Sequence, residues 1–246
     1  MIVRGKGTVS QPGDLVSAGL SAYNGKTGKP LASAEGYGDN AGVTLQLDDT
    51  RFLPGFVDAL ECLPTGSRTV ITTTAEGAFS TTYSELGLSA KDPVVLVGDL
   101  FSIVPLKASG KALAPVAGMP TVTLAKDGAP TVTIPKTDPP TSTQIATLIQ
   151  GTGSTVLPTS TVTIQYSGVL WRTGQVFDST WSRGQPYTSA VSGFVPGFTK
   201  ALEGQTVGSQ VLAVIPPADG YGSAGQGEIK GTDTMVFVID ILAASN

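Results

Sequence analysis

The chain has no histidine and one cysteine, Cys62, in 246 residues. Those shortages close a whole class of chemistry: no Ser-His-Asp triad, no Cys-His pair and no imidazole-bound metal can be assembled. A carboxylate-only cation site survives that exclusion, yet the candidate pair Asp48-Asp49 lacks the alternating ligand spacing of a calcium loop. The expectation is therefore no metal and no cofactor. Charge is scarce too: Asp, Glu, Lys and Arg make up 14% of residues, the net charge is −4 and neither sign forms a long run. Nucleic acids and anionic membranes need a clustered positive field, so neither is expected as a partner. No stretch approaches the roughly 18 apolar residues of a helical membrane span. No cationic start followed by an apolar run marks a signal peptide.

What is abundant favours strands and turns over helices: 31 Gly and 17 Pro, together with many Thr and Val. Most apolar patterning has period two. In "STVTIQYSGVLW" (Ser160 to Trp171), Val162, Ile164 and Tyr166 alternate with Thr and Gln, and "SQVLAVIPP" and "TMVFVIDILA" read as further strands. "PGFTKALEGQ" breaks the rule. Its Phe198, Ala201 and Leu202 recur at spacings of three and four after a Pro-Gly start, the signature of a short helix that points Phe198 into whatever the strands enclose.

The chain also repeats itself. "FLPGFVDALECLPTGS" (Phe52 to Ser67) lies over "FVPGFTKALEGQTVGS" (Phe194 to Ser209) without gaps, and "KTGKPLAS" (Lys26 to Ser33) over "RTGQVFDS" (Arg172 to Ser179). The offset falls from 146 to 142 between these blocks, so the first copy carries four extra residues, most economically around "EGYGDNAG" (Glu35 to Gly42). Two homologous domains follow. Between them "PLKASGKALAPVAGMP" (Pro105 to Pro120) reads as linker, and "TVTLAKDGAPTVTIP" as a hairpin turning at Asp127-Gly128. The boundaries are residues 1–105, a linker with a hairpin at 106–140, and residues 141–246. Met1 falls opposite Thr147, inside the second copy's expected first strand, so residues upstream, an export leader among them, are expected to be missing. One Cys and a Thr-rich, charge-poor composition suit an exported or envelope-associated bacterial protein, with a cytoplasmic location as the alternative.

The stretch "RTGQVFDSTWSRGQPY" (Arg172 to Tyr187) raises the functional question, because it holds three aromatics, a carboxylate and two guanidinium groups within sixteen residues. With "VTIQYSG", "FVPGF", "ALEGQTVGS", "IPPADGYG" and "MVFVIDIL" it follows the order and spacing of the FKBP-type peptidyl-prolyl isomerases, and the second copy resembles that family from about Thr141 to Ala243. The resemblance implies an α+β fold, two tandem domains each with a twisted antiparallel sheet wrapped around a short helix, and an aromatic pocket between helix and sheet. It implies Phe198 as the pocket floor, where many members have Trp, with Tyr166, Phe177, Tyr187 and Phe237 as walls and Phe194, Val195 and Ile229 at the rim. Asp178 and Tyr221 would be its polar groups, the Val195 N–H a donor to the ligand, and Arg183 the residue that holds the Asp178–Tyr166 side. The family's loop histidine has no counterpart. The implied substrates are Pro-containing polypeptides and the implied inhibitors tacrolimus or rapamycin, acting on a monomer without a cofactor.

Plainer readings stand beside these. Asp178 alone could be a turn carboxylate in a surface ion pair with Arg183, worth about 0–1 kcal/mol, and Tyr221 an ordinary loop aromatic. Phe177, Phe198 and Phe237 would be core in any β-rich domain. The alternative function is a non-catalytic binder of unfolded or Pro-rich chains. In the first copy Leu20, Leu31 and Ala32 stand where the second has Tyr166, Phe177 and Asp178, while Phe52, Leu53 and Phe56 match Phe194, Val195 and Phe198. On looser alignment Phe79 replaces Tyr221 and Leu96 replaces Phe237. The first domain is thus expected to keep the fold with little or no isomerase activity. Cys62, opposite Gly204, is expected to be a small packing residue.

Overall fold

A computed structural model describes residues 2–37 and 42–245. Half of the loop expected to hold the first copy's extra residues, positions 38–41, lies outside the described residues. The chain forms two compact units, Met1–Val104 and Pro105–Ala244.

In the first unit β1 (Leu15–Asn24), β2 (Val43–Gln46), β3 (Ser67–Thr74) and β4 (Pro93–Val104) make a four-stranded sheet in the order β2-β1-β4-β3, every pair antiparallel. Helix α1 (Pro54–Leu60) buries Phe56, Val57 and Leu60, and a second short helix, α2 (Ala75–Phe79), precedes a 3-10 turn, Thr82–Leu86. The core joins β1 residues Val16, Ala18, Leu20 and Ala22 to the helix and to Leu96 and Leu100 of β4.

The second unit opens with β5 (Lys111–Ala112), the hairpin β6 (Thr121–Leu124) and β7 (Pro130–Thr133), and β8 (Gln144–Gln150). It continues through β9 (Thr161–Leu170), β10 (Val176–Ser179), the single turn α3 (Thr180–Arg183), β11 (Tyr187–Ala190), α4 (Pro196–Leu202), β12 (Gln210–Ile215) and β13 (Met235–Ser245). Its sheet runs β10-β9-β13-β12-β8-β5, with β11 also on β9. Thus β11-β9-β13-β12 has the order of β2-β1-β4-β3, and α4 takes the place of α1.

Residues 105–120, read above as linker, belong to this second unit and are fastened to it. The Ala108 N–H donates to Asp240 Oδ2 at 2.8 Å, the Ser109 N–H to the Gly208 carbonyl at 3.0 Å and the Leu113 N–H to the Leu148 carbonyl at 2.8 Å. Met119 is buried, and with Val122, Val132 and Ile134 it covers Val236 and Val238 on one face of β13, while Phe237, Ile239 and Ile241 fill the helix-side core. Burial on both faces explains why "MVFVIDIL" is apolar at every position but Asp240 and shows no regular polar alternation.

The repeated Pro-Gly-Phe seats each helix. Pro starts it, since its missing N–H needs no partner in the first turn. The Gly lets it approach the sheet: a Cβ at Gly197 would lie 2.4 Å from Ile215 Cγ2, and one at Gly55 2.7 Å from Leu96 Cδ1. The Phe is then driven inward, and Phe56 and Phe198 are both buried.

Cys62 is not the packing residue expected. It is exposed, with φ 55°, at the left-handed position just after α1 where α4 is followed by Gly204 at φ 76°. The turn that ends this helix requires a conformation that a Cβ disfavours, and glycine meets that requirement in the second unit only. Replacing Cys62→Gly is expected to raise stability by about 0.5–1 kcal/mol, whereas Gly197→Ala should lower it by about 1–3 kcal/mol through overpacking against Ile215. Urea midpoints with unchanged slopes would read both, and a lower midpoint for Cys62→Gly would mean that the turn is unstrained.

Candidate active site

The hollow between α4 and the sheet of the second unit is built from β9, β10, β11, β13, the helix itself and the loops that carry Phe194 and Tyr221. Tyr166 projects from β9, and β10 carries Phe177 and Asp178. Neighbours in a strand ordinarily face opposite sides, but the β9–β10 register shifts between Val176↔Val169 and Asp178↔Gly168, which leaves Phe177 as the extra residue of a bulge. The bulge re-aims the strand, and Phe177 and Asp178 line one cavity. Gly168 makes room opposite them: a Cβ there would sit 2.6 Å from the Phe177 ring and 2.8 Å from that of Phe237.

Phe198, 3% exposed, forms the floor from the first turn of α4. The Phe194 ring stacks on it at 4.6 Å, Phe237 meets it edge-on at 5.0 Å, and Tyr166 at 5.9 Å. Phe177 packs edge-to-face on Phe237 at 5.6 Å, and Tyr187 bridges Tyr166 and Phe194 at 6.4 and 6.1 Å. Six rings thus form one contiguous edge-to-face and stacked set, the arrangement that the ring quadrupoles favour. They surround a cavity of about 340 Å³, which Val195 and Tyr221 also line.

One carboxylate enters this apolar wall, and it is fully engaged. The Tyr166 hydroxyl donates to Asp178 Oδ2 at 2.5 Å, and the Arg183 guanidinium pairs with Asp178 Oδ1. Arg183 also donates to the Tyr166 hydroxyl at 3.0 Å, with its guanidinium carbon 5.5 Å from the centre of the Tyr166 ring. Burial, reinforced by the hydrogen bond to Asp178, pushes the Tyr166 phenol up to about 12. At neutral pH the hydroxyl therefore keeps its proton. At the cap of α4 the Val195 N–H donates no hydrogen bond among the described residues, and its carbonyl accepts from Phe198 and Thr199.

Of the residues singled out from the sequence, Tyr166, Phe177, Asp178, Tyr187, Phe194, Val195, Phe198, Tyr221 and Phe237 share this cavity. Arg183 stands behind Asp178 and does not line the cavity. Ile229, expected at the rim, is buried in the core instead, where its N–H and carbonyl close a turn with Gln226. Two lining residues, Gly193 and Gln226, escaped the sequence reading. Gln226 lies in a Gly-rich loop whose only local signal is its closeness to Tyr221.

The first unit holds a cavity of about 240 Å³ in the corresponding place, between α1 and its sheet. Leu20, Leu31 and Ala32 line it where the second unit has Tyr166, Phe177 and Asp178, and Phe52, Leu53, Phe56 and Phe79 complete the apolar wall. Leu96, opposite Phe237, is buried in the core behind it.

Residues 153–242 match a family model described as FKBP-type peptidyl-prolyl cis-trans isomerase. A probable FK506-binding protein of Corynebacterium glutamicum is 36% identical over 100 residues, which are 41% of this chain and 85% of that protein. An FK506-binding protein of Streptomyces anulatus is 33% identical over 98 residues, covering 38% of this chain and 79% of that protein. The isomerase FkpA of Escherichia coli is 35% identical over 92 residues, so that the match spans 37% of this chain but only 34% of FkpA. The FkpA crystal structure aligns over 54% of each chain at 27% identity with a TM-score of 0.41.

The raised Tyr166 value fixes a sign. A group whose proton is held more tightly in the folded state gives stability that is complete below its unfolded value, near 10, and is lost as pH climbs toward the folded value of about 12. In an ultraviolet titration Tyr166→Phe should remove phenolate amplitude near pH 12, where Tyr37, pushed up to about 12 by burial and by Asp99, also titrates. The variant should also flatten the fall in stability between about pH 10 and 12. Amplitude lost only near pH 10 would show that the Tyr166–Asp178 bond does not form.

Proposed function

The chain belongs, through its C-terminal half, to the FKBP-type peptidyl-prolyl cis-trans isomerases, and from that premise we propose that the ring-lined cavity of the second unit is where an X-Pro bond is twisted. Rotation about that bond faces a barrier of roughly 18–20 kcal/mol, because the amide must lose its resonance. No bond breaks and no proton moves, so a chain without histidine lacks nothing that the reaction needs. Resonance puts partial charge on the carbonyl oxygen, which water stabilises in the planar ground state more than in the less polar twisted state. A dry cavity withdraws that stabilisation, and its shape favours the twisted geometry.

In this reading Phe177, Phe198 and Phe237 hold the proline ring, with Phe194 and Tyr187 excluding water at the mouth. The free Val195 N–H donates to a substrate carbonyl. Asp178, Tyr166 and Tyr221 supply fixed dipoles along one wall, and Arg183 positions the first two. The observation that carries the proposal is the convergence of six rings and one fully engaged carboxylate on a single cavity. Uncatalysed exchange takes tens to hundreds of seconds, and lowering the barrier by about 4 kcal/mol, roughly a thousandfold, would bring it below a second. The first unit keeps the scaffold, and we assign it no turnover because Leu20, Ala32 and Phe79, which stand for Tyr166, Asp178 and Tyr221, provide none of the wall dipoles. Pro-containing polypeptides are the substrates in this reading, and tacrolimus or rapamycin should compete for the cavity. The composition favours export to a bacterial envelope.

A protease-coupled assay of the full chain on X-Pro tetrapeptides tests this. Phe177→Ala and Asp178→Ala should each lower kcat/KM about tenfold or more, and excess tacrolimus should abolish the activity. A rate equal to buffer would leave a non-catalytic binder of unfolded chains, and wild-type rates in both variants would place the chemistry elsewhere. Titrating tacrolimus into labelled protein should shift signals of Tyr166, Asp178 and Tyr221, and no shift at these three would overturn the cavity as the drug site.

A further inference from the structure

The cavity of the first unit is not a relic filled in by its own side chains. At about 240 Å³ it is open and apolar, larger than a dry cavity of roughly 150 Å³ that takes up a benzene-sized guest. Phe56 and Phe79 are its buried walls, Phe52 and Leu53 are half-buried, and Leu86, 37% exposed, stands at the opening. The space suits one large apolar side chain. Loss of the wall dipoles removes any preference for an imide, so a proline is not required.

Two carboxylates, Glu35 and Glu85, also line this cavity, and both are exposed. Among the described residues neither is in an ion pair: the first unit's ion pairs are Lys26–Asp92, Arg51–Asp48 and Arg68–Asp99. The contrast with the other cavity is specific. There the single carboxylate, Asp178, is neutralised by Arg183; here two carboxylates at an apolar hollow have no cation of their own.

We propose that the first unit is a second polypeptide-binding site, which takes a large apolar side chain into its cavity and pairs Glu35 and Glu85 with Lys or Arg residues flanking that side chain. The occupant is a hydrophobic segment with basic neighbours, as an unfolded chain exposes, and it need contain no proline. Because both sites lie on one chain, a client held here raises the local concentration of its X-Pro bonds at the isomerase site by tethering alone. The assignment stands independently of catalysis in the second unit.

The test uses the full chain and two labelled, Pro-free peptides, Ser-Lys-Phe-Lys-Ser and Ser-Glu-Phe-Glu-Ser, followed by NMR shifts and fluorescence anisotropy. The basic peptide should bind with shifts at Leu31, Leu53 and Phe79, and the acidic one at least ~5-fold more weakly, a gap that narrows with salt. The double variant Glu35→Lys/Glu85→Lys should reverse the preference. Ala32→Trp, at an exposed position on the cavity wall, should remove binding with an unchanged denaturation midpoint. Equal affinity for the two peptides, retained binding in Ala32→Trp, or shifts confined to residues 105–244 would each overturn the proposal. X-Pro tetrapeptide turnover on the same samples reads the isomerase site separately, so the failure of one assignment is distinguishable from failure of the other.

Discussion

A carboxylate in the wall of an aromatic cavity is the constraint around which the C-terminal site is arranged. An ionised group at the edge of an apolar hollow, even one 36% exposed as Asp178 is, is costly unless its lone pairs are engaged, and Asp178 has Tyr166 on one oxygen and Arg183 on the other. Each partner is held in turn: Arg183 bonds the Tyr166 hydroxyl and lies over its ring, and the Tyr166 ring packs against Phe198 and Phe237. Polar and aromatic sets are therefore one structure. The bulge at Phe177 is the backbone device that lets a carboxylate and a ring adjacent in sequence enter it together.

The repeat lets the same scaffold be compared in two chemical states. In both units the strand beside the helix-facing core carries a buried aspartate, Asp99 or Asp240, opposite position 68 or 210 of its neighbour. In the first unit that neighbour is Arg68, which grips Asp99 bidentately at 2.7 and 3.0 Å while Tyr37 donates at 2.6 Å. In the second it is Gln210, which donates at 2.7 Å but carries no charge, and the Ala108 N–H supplies the other bond. Burial accordingly raises the Asp240 carboxyl above its ordinary range. The segment after Val104 thus serves the second unit by satisfying a carboxylate that an arginine satisfies in the first.

Much of this was legible in the sequence wherever a local rule and a long-range role coincide. Pro-Gly-Phe starts a helix, brings it close and turns a ring inward, and those three demands act on adjacent residues, so the motif survives in both copies. The rest depended on partners distant in the chain. Pro105 to Pro120 has linker composition, and nothing local says that Asp240 and Gly208 will accept its N–H groups. The "MVFVIDIL" run, apolar but for Asp240, reads locally only as a strand, and its burial on both faces depends on packing by Met119, Val122 and Val132 from a distant segment. Ile229 illustrates the limit of position-by-position carry-over: the Gln226 turn folds it into the core and leaves Gln226 at the cavity. Cys62 misled because a helix's terminating turn tests backbone conformation, which side-chain type reports poorly.

Twisting an amide asks less of a protein than breaking one. The charge on the substrate carbonyl decreases along the path, so the useful features are a place without water and dipoles already oriented, with no reorganisation left to perform. Tyr166 keeps its proton because burial and Asp178 both oppose its loss, Asp178 is fastened from outside the cavity, and the Val195 N–H is left over by the geometry of a helix start. None of these groups has to change state during rotation. A site that depends on fixed groups alone is degraded by removing very few of them, and in the proposed reading the exchanges at positions 20, 31, 32 and 79 leave the first unit with a hollow suited to holding a side chain but without the wall that would act on an imide.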